Sequence, residues 1–235
     1  MKPWLFLHHR SASTWTKAFV AEYTQKALSY KDGGQMNNFR HEPSDKVVRT
    51  ALTHPWCIGV NPWASLPAQI DGLCPDWRGV RIVRDPRDVL ISSYFSCRDY
   101  HPTTDWPELA PFKAWLQRVD EEAGIIATMG FVASVLESYA YWPTRPEILE
   151  VHYAELFAGD DQHFSSLMEL IGWLFPPADG ALVRKLIERY SWKKLTGGRP
   201  RGVSDSSHHY RKGIVGDWEN YWTKGIDRVW KEAYS

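Results

Sequence analysis

The chain is short of what several protein classes need. No apolar run approaches the roughly 20 residues that cross a bilayer, and the apolar run before His8 is only five residues long, too short for a signal-peptide core. Acidic and basic residues number 28 each, a formal charge of 28 − 28 = 0, without the basic excess of a general nucleic-acid or membrane-surface binder. The three cysteines, Cys57, Cys74 and Cys97, cannot all pair with one another and lack metal-ligand spacing. A reducing, cytoplasmic compartment is therefore expected, with no metal, nucleic acid or membrane partner. There is no internal repeat and no low-complexity tract. What is present suits one domain: 235 residues, 43% of them hydrophobic, enough to bury a core, with several of the 13 tryptophans expected inside it.

Three segments carry chemistry. In the first, Val80–Val83 reads as the end of a strand, Arg84 follows, Asp85-Pro86 opens a helix with proline in its first turn, and Ser92 falls about two turns later. An anion there would meet Arg84 and a serine hydroxyl, with Arg87 a further candidate. In the second, the apolar run Trp4–Leu7 leads into His8-His9-Arg10-Ser11-Ala12-Ser13-Thr14-Trp15, after which Trp15, Phe19, Tyr23 and Ala27 recur every fourth position. That is strand, tight loop, helix, and the first amides of such a helix point at an anion with the helix dipole behind them. In the third, Arg211-Lys212 precedes Gly213 and Gly216-Asp217-Trp218, a glycine-hinged loop able to fold over an anion.

Strands are predicted at 4–8, 47–52, 79–83 and 147–151, and helices at 14–28, 87–97, 108–121, 130–142, 162–174 and 179–190. The alternation indicates an α/β domain over 1–235 with a central, mostly parallel sheet flanked by helices. Irregular segments are expected at 30–45, 54–77 and 193–216, the first two shaping an acceptor pocket.

In order and spacing, the three segments resemble the soluble sulfotransferases that use 3′-phosphoadenosine 5′-phosphosulfate (PAPS). The family's Pro-Lys-Ser-Gly-Thr-Thr-Trp loop matches His9–Trp15. Its Arg-Asn-Pro-Lys-Asp motif and following serine match Arg84–Asp88 and Ser92. Its Arg-Lys-Gly-x-x-Gly-Asp-Trp-x-x-x-x-Thr motif matches Arg211 to Thr223 without a gap. The resemblance implies a P-loop-like phosphate-binding strand–loop–helix and sulfuryl transfer from PAPS to an acceptor hydroxyl, small-molecule or carrier-bound. It implies that Arg10, Ser11, Ala12, Ser13 and Thr14 hold the 5′-phosphosulfate, that Arg84, Ser92, Arg211, Lys212 and the Gly213 amide hold the 3′-phosphate, and that Trp15 and Trp192 sandwich adenine with Tyr153 touching the base. Two departures stand out. Arg10 replaces the family's lysine, keeping the charge while giving up an acid near neutral pH, and Ala12 replaces its loop glycine.

Arg10 is expected to support the leaving phosphate. For the base, the family's histidine lies in Lys-Thr-His-Leu-Pro after the second strand, and Thr53-His54-Pro55 is the match in this chain, making His54 the expected proton acceptor, with His8, His9 and His101 as competitors. The family's dimer motif is not recognisable between Thr223 and Trp230, so the oligomeric state stays open. Two rivals remain: a catalytically degenerate nucleotide binder, and a P-loop kinase, which the missing Gly-x-x-x-x-Gly-Lys-Ser/Thr sequence disfavours.

Overall fold

The computed structural model describes every residue except 29–32, 38–41, 105, 158, 159 and 235. Five parallel strands, β1 (Lys2–Leu7), β2 (Gly34–Asn37), β3 (Cys57–Val60), β4 (Trp77–Val83) and β5 (Ile148–His152), lie in the order β2-β3-β1-β4-β5. Helices α1 (Ser13–Leu28), α2 (Asp45–Leu52), α3 (Leu66–Leu73) and α4 (Pro86–Phe95) connect the first four strands and open the next crossover. A π-helical turn, Ser96–Tyr100, extends α4. After it come α5 (Leu109–Leu116), α6 (Glu121–Phe131), α7 (Ala133–Ala140), α8 (Tyr153–Leu156), α9 (Asp160–Leu174), α10 (Gly180–Arg189), α11 (Trp192–Leu195) and α12 (Lys224–Tyr234). No single helix among the described residues is long and apolar enough to cross a membrane; α6 and α7 reach that length together but are bent apart by 66°.

The centre of the sheet is buried on both faces, which is why β1 reads as an unbroken apolar run rather than an alternation. Leu5 and Leu7 point into one core with Trp15, Phe19 and the apolar sides of α9 and α10, while Trp4 and Phe6 point into another with Val48, Leu66 and Ile70. A third cluster unites α4, α6, α7 and Ile226 of α12. Within this setting Arg81 of β4 is 6% exposed and is held by Glu150 Oε1 at 2.8 Å and the Tyr139 carbonyl at 3.1 Å. A buried charge is tolerable when it is paired and hydrogen-bonded in this way.

Several predicted boundaries differ. The strand expected at 47–52 is instead the helix α2, because Val48 and Ala51 are spaced for one helical face and only that face is buried. Two strands arise where irregular chain was expected, β2 within 30–45 and β3 within 54–77, the latter segment also holding α3. Residues 30–32 and 38–41 of the first segment lie outside the described residues. The helices expected at 108–121 and 130–142 resolve into α5, α6 and α7.

Gly79 pairs in register with Trp4, and a Cβ at residue 79 would sit 2.3 Å from Phe6 Cε2, a ring itself confined by Trp4, Trp77 and Trp142. Gly79→Ala is expected to cost roughly 1–3 kcal/mol by overpacking. Urea unfolding measures this as a lower midpoint at constant slope; an unchanged midpoint would contradict the packing described.

Candidate active site

In a parallel sheet every strand delivers its following loop to the same edge. The loops after β1, β4 and β5 therefore bring Arg10, Arg84 and Tyr153 together, and the C-terminal segment folds over them. They enclose a cavity of about 400 Å³, within the range of small-molecule sites. Its described lining includes six cationic side chains, Arg10, Arg84, Lys193, Arg201, Arg211 and Lys212, against two carboxylates, Asp88 and Asp217. A chain with no net charge thus concentrates positive charge at one place.

The loop before α1 is strained where it curls. Arg10 and Ala12 have φ of 58° and 60°, in the left-handed region that a glycine at residue 12 would enter without steric cost. Thr16 N is the first amide of the turn to find a helical acceptor, Ala12 O at 2.9 Å, so the preceding amides lie at the positive end of the helix. Arg10 is fixed from three sides: its Nε donates to Ser92 Oγ at 3.0 Å, its Nη2 donates to the Tyr100 hydroxyl, and its carbonyl accepts from Arg84 Nη1 at 2.7 Å. Arg84 also lies over the Tyr153 ring at 4.3 Å, so Tyr153 supports a cation as well as lining the cavity.

The C-terminal motif is held by carboxylates. Asp217 is 3% exposed and binds Arg211 through Oδ2 and Lys212 through Oδ1, the latter at 2.5 Å. Burial raises the Asp217 pKa, but the hydrogen bonds from Lys212 and Arg211 outweigh it and keep the carboxyl below its ordinary value. Asp88 accepts from the amides of Gly216 at 2.9 Å and Trp218 at 3.1 Å, joining α4 to the distant loop. Gly213 has φ +66°, and a Cβ there would come within 2.3 Å of the Trp192 ring.

Of the sequence-predicted residues, Arg10, Ala12, Ser13, Trp15, Arg84, Ser92, Tyr153, Trp192, Arg211, Lys212 and Gly213 all line the cavity. Ser11 does not: it is fully buried and its hydroxyl donates to His8 O at 2.6 Å. Thr14 is exposed and is not part of the lining. Arg87 is turned away, paired with Asp85 and stacked 3.6 Å from the Trp218 ring. His54 is misplaced for the role expected of it. It precedes β3, and its carbonyl accepts from Lys2 Nζ at 2.7 Å, at the start of β1. The six residues of β1, at about 3.3 Å each, separate that edge from Arg10. The expectation that His54 is the base is corrected on this ground.

Sequence reasoning missed Tyr100, which grips Arg10, and Arg201, whose guanidinium lies 5.1 Å from the Trp192 ring and 5.4 Å from that of Phe157. It also missed Arg199, which donates to the carbonyls of Val203, Tyr210 and Arg211 and so braces the loop that carries the last motif. The only available signal was the density of arginine in Gly198-Arg199-Pro200-Arg201-Gly202.

A family model described as the sulfotransferase domain matches residues 8–235. The chain belongs to the sulfotransferase family. A flavonol sulfotransferase-like protein of Flaveria bidentis is 27% identical over 215 residues, covering 86% of this chain and 66% of its own length. Cytosolic sulfotransferase 3 of Arabidopsis thaliana is 25% identical over 250 aligned positions, covering 95% of this chain and 73% of its own. The chain therefore spans about two thirds to three quarters of these relatives. Among solved structures, mouse sulfotransferase SULT7A1 complexed with PAP superposes with a TM-score of 0.60 at 18% identity, over 99% of this chain and 81% of that one. Retinol dehydratase in complex with androsterone and inactive cofactor PAP gives 0.53 at 16%, over 99% and 78%. At these identities the two structures speak to the sulfotransferase's α/β fold, which is the one described above.

Asp217→Asn should destabilise the sulfotransferase by roughly 2–4 kcal/mol at neutral pH, since two half-buried cations lose their shared partner. A carboxyl held below its ordinary 3.8 contributes stability that is complete above that value and lost as pH falls through the folded pKa. The gap between wild type and variant, followed by thermal melts across pH, should therefore close below pH 3.8. A gap independent of pH would refute the pairing.

Proposed function

We propose that this sulfotransferase, acting as one domain over its whole length, transfers a sulfuryl group from PAPS to the hydroxyl of a small-molecule acceptor, a carrier-bound hydroxyl being the wider possibility. The observation that carries the reading is the cavity itself. Cations from three separate segments of the chain, Arg10, Arg84, and Arg211 with Lys212, line it together with the aromatic rings of Trp15 and Trp192. A donor with phosphates at both ends of a ribose and an adenine ring has complementary chemistry.

In this reading Arg10, Ser13 and the first amides of α1, in the loop of Ser11, Ala12 and Thr14, hold the phosphosulfate. Arg84, Ser92, Arg211, Lys212 and the Gly213 amide hold the 3′-phosphate. Trp15 and Trp192 face the adenine, and Arg201, beside Trp192, adds a planar cation at the same wall. The donor supplies an activated sulfuryl group and a phosphate leaving group. Charge develops on the bridging oxygen as that bond breaks, and fixed cations stabilise it. Arg10 is preorganised for this by Ser92 and Tyr100, and being an arginine it acts as a charge and donor without giving up a proton. The cytosolic relative and the absence of a membrane-crossing helix among the described residues support a cytoplasmic location.

Two experiments test the reading. Thermal denaturation with 3′,5′-adenosine bisphosphate should show metal-independent stabilisation, about 2.7 kcal/mol at 100 times the dissociation constant. Metal-dependent stabilisation by ATP instead would favour a kinase, and bisphosphate binding without turnover would favour a degenerate binder. Separately, Arg10→Ala should lower kcat roughly 10²- to 10³-fold. Near-normal turnover in that variant would remove Arg10 from its role.

A further inference from the structure

Sulfuryl transfer to a neutral hydroxyl requires a proton acceptor at the edge of the sheet that carries Arg10, and His54 lies at the other edge. The residue that follows β3 at the correct edge is Asn61, whose amide continues the ladder by donating to Leu7 O at 2.8 Å. A side-chain amide does not accept a proton near neutral pH. The proton must leave by another group.

Around Arg10 stand three histidines from three different elements: His9 in the loop after β1, His101 at the end of the π-helical turn, and His209 in the C-terminal segment. They are close enough to one another and to Arg10 for their charges to interact. His101 is committed on one side, its Nδ1–H donating to Pro102 O at 2.8 Å. His209 belongs to the lining of the large cavity, its ring packed edge-on against Tyr100 at 5.9 Å, and takes no part in the lining around Asn61. His8 is 1% exposed, its ring tilted against Tyr139 and edge-on to Trp142. His9 differs from all of these. It immediately precedes Arg10, is 8% exposed where Leu7 is fully enclosed, and borders a small chamber of about 10 Å³ shared with His8, Asn61, Trp63 and Ser138. Into the same chamber's wall are built Asn61 Oδ1 and His8 Nε2, polar atoms of side chains at least nine-tenths buried and without a hydrogen-bond partner in the protein. Buried polar atoms of that kind mark a place where a polar group of a ligand is received.

We propose that His9 is the catalytic base of this sulfotransferase, receiving the acceptor's hydroxyl beside Arg10, with Asn61 occupying the strand end where a histidine was expected. The inference rests on the sulfotransferase reading and specifies its acceptor side. The hydroxyl oxygen forms the new O–S bond with a lone pair while its proton passes to the neutral imidazole. The S–O bond to the phosphate breaks with its electron pair, leaving the 3′,5′-bisphosphate, and His9 then returns the proton to solvent. Burial first, then Arg10, His101 and His209, hold His9 well below the ordinary 6.5, so it is neutral when the acceptor arrives. The negative donor opposes those cations and raises its basicity at the moment it is needed.

The test compares His9→Asn, His9→Gln and His54→Asn with wild type, using PAPS and two probes of different acidity, phenol and 4-nitrophenol, while release of bisphosphate from PAPS with water as acceptor is followed alongside. A base matters most for the acceptor that must still lose its proton and least for one already ionised. Both His9 variants should bind the bisphosphate within about threefold of wild type, lose roughly 10²- to 10⁴-fold in kcat with phenol and with water, and lose far less with 4-nitrophenol in mildly alkaline buffer. His54→Asn should match wild type throughout. Equal losses on both phenols, a loss of bisphosphate affinity, or undiminished turnover in the His9 variants would each overturn the assignment. Wild-type protein that binds no bisphosphate would remove the sulfotransferase reading itself, whereas normal binding with undiminished variant turnover would remove only His9.

Discussion

The carboxylate of Asp88 is the joint on which the site depends. It is 1% exposed, lies 4.0 Å from Arg84 Nε, and accepts from two backbone amides more than a hundred residues downstream. A buried carboxylate is costly unless its lone pairs are filled, and here the filling comes from the C-terminal loop. The middle motif is thus complete only when the last motif has docked, and the last motif is in place only while Asp88 receives it. Asp217 repeats the arrangement one step outward by gathering Arg211 and Lys212. Positive charge can be concentrated at the cavity because Arg84, Arg211 and Lys212 lie against carboxylates, while Arg10 is held by neutral hydroxyls that leave its charge uncompensated.

In the proposed reading, that difference in bracing divides the work of the cavity. Arg211 and Lys212 share one anion, so they serve best as positioning groups for a permanently charged phosphate. Arg10 is held by Ser92 and Tyr100 without neutralisation, so its charge is available where charge is created during transfer. The histidines around it feel the same charge, since burial first and Arg10 after it favour the uncharged forms of His9 and His209.

Much of this was legible because motifs and periodicity report local structure. The strand–loop–helix around Arg10, the Asp85-Pro86 opening of α4 and the glycine hinge at Gly213 and Gly216 are local events, and each formed where the sequence indicated. Strand identity was less legible at the sheet's edge. Val47-Val48 carries β-branched residues into a helix, and Cys57-Ile58-Gly59-Val60 is a four-residue strand enclosed on both sides, with no alternation to announce it. Shifting the strand by one element carried His54 to the wrong end of the sheet. Contacts such as Tyr100 with Arg10, or Arg199 with three loop carbonyls, join residues from distant parts of the chain or span a loop whose course periodicity does not describe.

The close approach of Trp192 to Gly213 constrains how this protein can change. With the indole face at the position a side chain would need, residue 213 cannot gain bulk unless residue 192 loses it, and its left-handed backbone narrows the choice further. The two positions are locked as a pair, so any lineage or laboratory selection that alters this wall of the cavity must pass through a smaller aromatic or an aliphatic residue at 192 before it can alter 213. A change in the shape of the cavity here is thereby given an order in which its steps must occur.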